Sequence, residues 1–296
     1  MELAIRTRRL TKRFRHHLAL SELNLDVPTG MVFGYLGPNG AGKTTTIRLL
    51  AGLIRPTSGS AIVFGFDAAD QYDALQRRIG YLPGDFAPYP DLTAAQYLRY
   101  FANLRGGVES AGVDRLAKRF ELDVTVKIGT LSHGNRQKIG IIQAFMHEPD
   151  LLILDEPTAG LDPIMQREFL ALLRETRDAG RTVFLSSHIL AEVEAVADTV
   201  GILRRGELVT TQSVEALKAQ ARRRLELTFA TTPPMDRIRQ VPGVQDISSD
   251  GCTAHVVLTG STAELVKAVA PYEVTNLVSH EADLESVFLD YYAAPR

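Results

Sequence analysis

The chain is nearly without cysteine, carries no surplus of charge of either sign and has no long apolar run. Each shortage narrows what it can be. Its single cysteine, Cys252, cannot close an internal disulfide or build a zinc cage, and this composition reads as cytosolic. Lys and Arg number 33 against 35 Asp and Glu, so no global field recommends nucleic acid or an anionic membrane surface as a partner. No stretch approaches the roughly 18 consecutive apolar residues of a transmembrane helix. The opening MELAIRTRRLTKRF carries Glu2 and lacks the apolar region of about 7–15 residues that a signal peptide needs, so it reads as mature sequence. Any crossing of a membrane is expected from other chains. No internal repeat or low-complexity segment stands out.

What is present is apolar material, 45% of 296 residues, enough for one full α/β core and a small second domain. From residue 3 to about 209, apolar strand candidates at 31–36, 61–64, 151–155, 182–186 and 200–203 alternate with helical patterns. Continuous apolar strands between helices predict a largely parallel, buried sheet. The best-marked helix begins after Asp162 and Pro163, an N-cap followed by proline at the first helical position, and stops before Gly180. Met165, Phe169, Leu172 and Leu173 then share a buried face. Strand signals vanish between about 85 and 147, where Tyr97, Tyr100, Phe101, Leu104, Leu116 and Phe120 mark the stripes of a helical insertion. A helix is expected from Gly206 to about Ala221, followed by Arg222, Arg223 and Arg224 as a solvated hinge. A small α+β domain follows, with strands expected at 225–229, 255–258 and 273–278 and a closing helix through Leu284, Val287, Phe288 and Tyr291.

The chemistry concentrates in a few segments. Gly37-Pro38-Asn39-Gly40-Ala41-Gly42-Lys43-Thr44 satisfies G-x-x-x-x-G-K-[ST] between an expected strand and an expected helix, the context a phosphate-binding loop requires. Its glycines let successive N–H groups turn inward, and the helix N-terminus adds partial positive charge where phosphates lie. Lys43 is expected to reach the β- and γ-phosphates of a nucleoside triphosphate, Thr44 to ligate Mg²⁺ and Thr45 to hydrogen-bond the α-phosphate. The bland alternative, a glycine-rich turn with a solvent-facing lysine, does not account for both flanking elements.

The apolar run 151–154 ends in Asp155 and Glu156. In an open parallel sheet ligands gather outside the carboxyl ends of strands, so Asp155 is expected to reach Mg²⁺ and Glu156 to polarise an attacking water. Taken without the loop, the pair also reads as ordinary surface acids. His188 ends another apolar strand, where a neutral imidazole would contact the γ-phosphate and orient water; a structural histidine is the alternative.

The ordered set GPNGAGKTT, LSHGN, LLILDEPTAGLDP and SSH resembles the ABC ATPase domain over residues 1 to about 220. The resemblance implies an α/β, P-loop NTPase core of ABC type with a helical subdomain at about 85–147, and a small α+β accessory domain at 225–296. It makes LSHGN, whose usual form is LSGGQ, a signature segment serving the partner subunit's ATP, through Ser132 and the amide of Gly134. One chain supplies one phosphate loop and one signature, so the resemblance requires a second copy or a homologous ATPase subunit. It also makes Ala159-Gly-Leu-Asp162 a loop that crosses the dimer, and gives Phe14 the role of stacking on adenine; a core phenylalanine beside Leu10 and Leu18 is the alternative.

Three positions depart from the family's pattern. His133 and Asn135 replace a glycine and a glutamine of the signature. Gly84 stands where a Mg²⁺-sensing glutamine is usual, with Asp85 beside it as a substitute acting through water. GDFAPYPDLT and EADLESVFLD resemble the narrower ABC-2-type branch of drug and polyketide-antibiotic exporters. That branch implies integral membrane permease subunits docking beside residues 84–89, a peripheral place on the cytoplasmic side of the cell membrane, and no nucleic acid. A soluble ABC ATPase acting on nucleic acid or ribosomes and a P-loop kinase are the rivals. The first usually carries two ATPase domains or a coiled coil, and the second needs a second-substrate site.

Overall fold

The computed structural model describes residues 2–220 and 222–280. The chain forms two compact units, Met1–Thr211 and Gln212–Arg296. The first opens with β1 (Leu3–Phe14) and β2 (His17–Pro28), a long antiparallel pair whose alternation buries Ile5, Thr7, Leu23, Leu25 and Val27 on one face. Then come β3 (Val32–Leu36), α1 (Lys43–Leu50), β4 (Ser58–Val63), β5 (Phe66–Asp67), α2 (Tyr72–Arg78) and β6 (Ile79–Leu82). Helices α3 (Ala94–Leu104), α4 (Ser110–Arg119) and α5 (His133–Phe145) form the insertion. The unit continues through β7 (Leu151–Asp155), α6 (Pro163–Asp178), β8 (Thr182–Ser187), α7 (Leu190–Val196), β9 (Thr199–Arg204) and β10 (Glu207–Ser213).

Six of these strands form a sheet in the order β10-β9-β3-β8-β7-β6. β3 pairs in parallel with β9 and β8, and β7 in parallel with β8 and β6. Every residue of β3, β7 and β8 is buried, as expected of strands covered on both faces. Their registers align Leu36 with Ser187 and Asp155 with Ser186. The phosphate loop, the acid pair and His188 therefore leave the sheet at one edge. Asp162 caps α6 by accepting from the backbone N–H groups of Ile164 and Met165, and Met165, Phe169, Leu172 and Leu173 are buried.

The second unit holds α8 (Val214–Gln220), β11 (Arg222–Phe229), α9 (Met235–Arg239), β12 (Val244–Asp250), β13 (Thr253–Thr259), α10 (Ala263–Val269) and β14 (Val274–Ser279). Its antiparallel sheet runs β12-β13-β11-β14, and Leu225, Leu227, Phe229, Val256 and Leu258 supply a core of its own.

Three expectations are corrected. The strand expected at 61–64 is β4, and it pairs antiparallel with β1 outside the parallel sheet. The expected helix from Gly206 is first β10, whose Val209, Thr210 and Thr211 favour a strand; only α8 is helical, with Ser213 Oγ accepting from Ala216 N at 3.1 Å. The arginines at 222–224 begin β11 rather than forming a hinge: Arg222 and Arg224 are exposed on one face, while the half-buried Arg223 lies on the face that continues as Leu225, Leu227 and Phe229. The expected helix through Leu284 to Tyr291 and the EADLESVFLD segment lie outside the described residues. Among the described residues no helix is long and apolar enough to cross a membrane.

Candidate functional site

The phosphate loop is wedged between β2 and β9. A Cβ on Gly42, whose φ is 109°, would fall 2.6 Å from Ala19 O, and one on Gly37 would fall 2.7 Å from Leu203 O. Only glycine fits at either place. Ala41 N donates to Pro38 O at 3.1 Å, leaving Pro38, Asn39 and Gly40 exposed at the tip. α1 has no acidic residue in its first turn, so its positive end stays uncompensated. Lys43 is 6% exposed and folds back over the loop, its Nζ donating to Gly37 O at 2.6 Å. Thr44 is exposed and Thr45 half-buried in the same turn.

The acid pair faces this loop. Asp155 is buried, and its Oδ1 accepts from Ser186 Oγ at 2.5 Å. The same hydroxyl accepts from the backbone N–H of Glu156 at 3.1 Å, so one buried serine fixes both acids. Glu156 has a left-handed backbone, φ 48°, which is costly for a non-glycine residue and clusters at functional sites. Its Oε2 lies 2.8 Å from His188 Nδ1, and its Oε1 lies 3.2 Å from Lys43 Nζ. Oε1 is nonetheless buried without a hydrogen-bond partner. Lys43, Glu156 and His188 thus converge from three strand ends.

The residues present fit a hard cation. Mg²⁺ is ordinarily held by one or two carboxylates together with phosphate oxygens and water, and the buried Asp155 and the Thr44 hydroxyl are oxygen donors of that kind. Among the described residues no group of three or more His, Cys, Asp or Glu side chains is placed to hold a metal by itself.

Other site residues lie elsewhere. Ser132 is exposed and caps α5 by accepting from Asn135 N at 3.2 Å. Gly134 abuts Gly160: a Cβ on it would fall 2.5 Å from Gly160 O. Phe14 is 46% exposed beneath the Lys12 ammonium, 5.0 Å from its ring centroid, which removes the reading as a core phenylalanine. It pairs with His17 at the end of β1, two residues from the Ala19 that touches the loop.

At the departures, a Cβ on Gly84 would fall 3.2 Å from Asp155 Oδ2, so position 84 faces the buried acid. Asp85 turns instead to Arg48, 3.4 Å away, and is 79% exposed. No sequence pattern marks Tyr81, whose hydroxyl is pushed up to about 12, first by burial and then by the charge of Asp155, with Arg48 opposing. It remains a proton donor beside the acid. Ser186 and Glu192 were also missed. Glu192 is buried and accepts from Thr158 Oγ1 at 2.7 Å and from Ser187 Oγ at 3.1 Å, tying the residue before His188 to the loop after Glu156. The only available signal was the serine pair preceding His188.

A parallel strand running into a glycine-rich loop and an uncompensated helix, with an acid pair two strands away, defines a P-loop nucleotide-binding fold. The family described as ABC transporter matches residues 20–159. Over 233 residues the chain is 40% identical to the bacitracin transport ATP-binding protein BcrA of Bacillus licheniformis, covering 78% of this chain and 76% of that one. It is 37% identical over 225 residues to the probable multidrug ABC transporter ATP-binding protein YbhF of Escherichia coli (strain K12). That match covers 74% of this chain but 39% of the relative, so the chain spans about two-fifths of that protein's length. A solved ATP-binding subunit of an ABC transporter superposes with a TM-score of 0.67 at 30% identity, over 73% of this chain and 92% of that one. The chain belongs to the ATP-binding proteins of ABC transporters.

Proposed function

We propose that this chain hydrolyses ATP as the motor subunit of an exporter, pairing with a second ATPase subunit and driving separate ABC-2-type permease subunits from the cytoplasmic side of the membrane. The observation that carries hydrolysis is the convergence of Lys43, Glu156 and His188 beside the phosphate loop. The inward-turned backbone of 37–42 and the N-terminus of α1 bind the phosphates, and Lys43 reaches the terminal ones. Phosphate competes with Glu156 for Lys43, leaving the buried Oε1 to accept a proton from the attacking water. His188 holds the carboxylate through Oε2, and Ser186 holds its backbone. Mg²⁺, held by Thr44 and Asp155, supplies charge neutralisation to the phosphate oxygens when bound. The exposed Ser132 and the half-buried Gly134, at the start of α5, serve the partner's nucleotide, and Phe14 stacks on adenine. The second compact unit, Gln212–Arg296, serves this motor as an accessory domain.

Export is supported by the names of the relatives, one a bacitracin transport protein and the other a probable multidrug transporter. Tyr89, Tyr100 and Leu104, at 57%, 48% and 64% exposure, leave apolar surface near residues 84–89 and on α3 where a permease can dock. Balanced charge argues against the nucleic-acid rival. Coexpression with a neighbouring-gene product of about six hydrophobic spans tests the assembly. A complex that copurifies and hydrolyses ATP is expected; an ATPase that instead copurifies with ribosomes or nucleic acid overturns the transport reading.

A further inference from the structure

The segment following Glu156 is gripped from two sides. On one, Thr158 is tied to the buried carboxylate of Glu192. On the other stands α5. Gln137, buried, donates from Nε2 to Pro157 O at 3.0 Å. One turn earlier, His133 sits on Gly160. A Cβ on Gly160 would fall 2.3 Å from His133 Cδ2 and 3.0 Å from Nε2, so the imidazole occupies the space a side chain there would need. Gly134 closes on the same residue from its other side, through Gly160 O. Residues 133 and 137 are four apart and share a helix face, so α5 holds both ends of the 157–160 loop.

That loop is bounded by two left-handed residues, Glu156 at φ 48° and Gly160 at φ 79°. For a non-glycine residue such a backbone is strained and persists only where its surroundings hold it. A glycine at 133, the usual residue of the motif that LSHGN resembles, has no side chain to set on Gly160. The clamp is therefore a property of this chain's own histidine.

We propose that His133 is a positioning residue for ATP hydrolysis: its ring, seated on Gly160, clamps the 157–160 loop to the start of α5 and so fixes the backbone that presents Glu156. The ring acts by shape, and no proton transfer by His133 is involved. The inference rests on Glu156 acting in hydrolysis. Because His133 lies between Ser132 and Gly134, which serve the partner's nucleotide, ATP binding is read beside turnover, and the clamp predicts that its loss lowers turnover far more than ATP affinity.

The test uses the full chain as wild type, H133G, H133Q, G160A and the double variant H133G/G160A, comparing steady-state hydrolysis, ATP binding and thermal melting. H133G is expected to lower kcat about tenfold with KM for ATP within about twofold, since small misplacements of reacting groups act on the chemical step. H133Q, which keeps a planar group over Gly160, recovers most of kcat. G160A puts a methyl group into the imidazole and loses more than H133G; removing the ring in the double variant restores part of that loss, leaving only the cost of alanine at φ 79°, so the two losses are less than additive. Wild-type kcat in H133G, or losses that simply add in the double variant, overturn the clamp. If the wild-type chain does not hydrolyse ATP, the reading of Glu156 falls with the turnover claim. The melting temperatures then decide the contact separately: non-additive shifts support it and additive ones reject it.

Discussion

His188 Nδ1 and Glu156 Oε2 lie 2.8 Å apart at the carboxyl edge of the parallel sheet, and the other oxygen of the same carboxylate lies 3.2 Å from Lys43 Nζ. A carboxylate held at both oxygens has its orientation set before substrate arrives, which is the condition for an effective general base.

Removing the imidazole frees one of those oxygens. H188A is expected to lower kcat for ATP hydrolysis about 100-fold while ATP binding changes little, because general-base contributions run to about 10²–10⁴. Steady-state kinetics beside a nucleotide titration separates the two effects. Wild-type turnover in H188A would return His188 to a structural role.

Lys43 sits on the other oxygen and over the loop. K43A removes a buried charge and the point charge expected on phosphate, a loss of about 1.5–3 kcal/mol, so ATP should bind about 10–150-fold more weakly. Equilibrium titration with a fluorescent nucleotide measures this directly.

Ser186 is fully buried, donates to Asp155 and accepts from Glu156 N. S186A takes the hydroxyl from the buried Asp155 carboxylate and leaves Glu156 N only its 3.3 Å bond to Ser186 O, and it should destabilise the first unit by about 1–3 kcal/mol in urea unfolding. Its ATPase activity should fall as well, since both acids lose their common anchor.

His147 supplies an acid limb to stability. Burial, reinforced by the positive charge of Arg105, lowers its pKa from 6.5 to about 4, against a hydrogen bond to Ile79 O that raises it. The folded chain thus binds fewer protons than the unfolded chain between these values, and stability rises with pH across that window. On acidification from pH 6.5 towards 4 the chain loses stability, by about 3 kcal/mol at most. H147Q should flatten this slope in urea melts at pH 7 and pH 5. An unchanged slope would assign the acid limb to other groups.

Strands β3, β7, β8 and β9 were legible because each is a short apolar run between helical patterns, whereas β6 is only four residues long and β10 alternates polar and half-buried residues, so neither shows as a strand in the sequence. Asp155, Glu156 and His188 were placed by one rule, that strand carboxyl ends meet at an edge, and the register of Asp155 with Ser186 realises it. The hairpin of β1 and β2 was hidden because Arg, Lys, Thr and Glu fill its outward positions and bulges interrupt its alternation. Ser186, Glu192 and Tyr81 act through contacts far apart in sequence, for which no local pattern exists. The displaced acid Asp85 shows the opposite failure: adjacency to Gly84 suggested a substitute ligand, whereas its carboxylate is drawn to Arg48.

The account rests on Glu156 as the group that activates water, and E156Q tests it most directly. Glutamine keeps the size of the side chain but cannot accept the proton. The account predicts ATP binding close to wild type, hydrolysis reduced at least about 100-fold, and ATP-dependent accumulation of a dimer in sedimentation or light scattering. Hydrolysis by E156Q at the wild-type rate would contradict it.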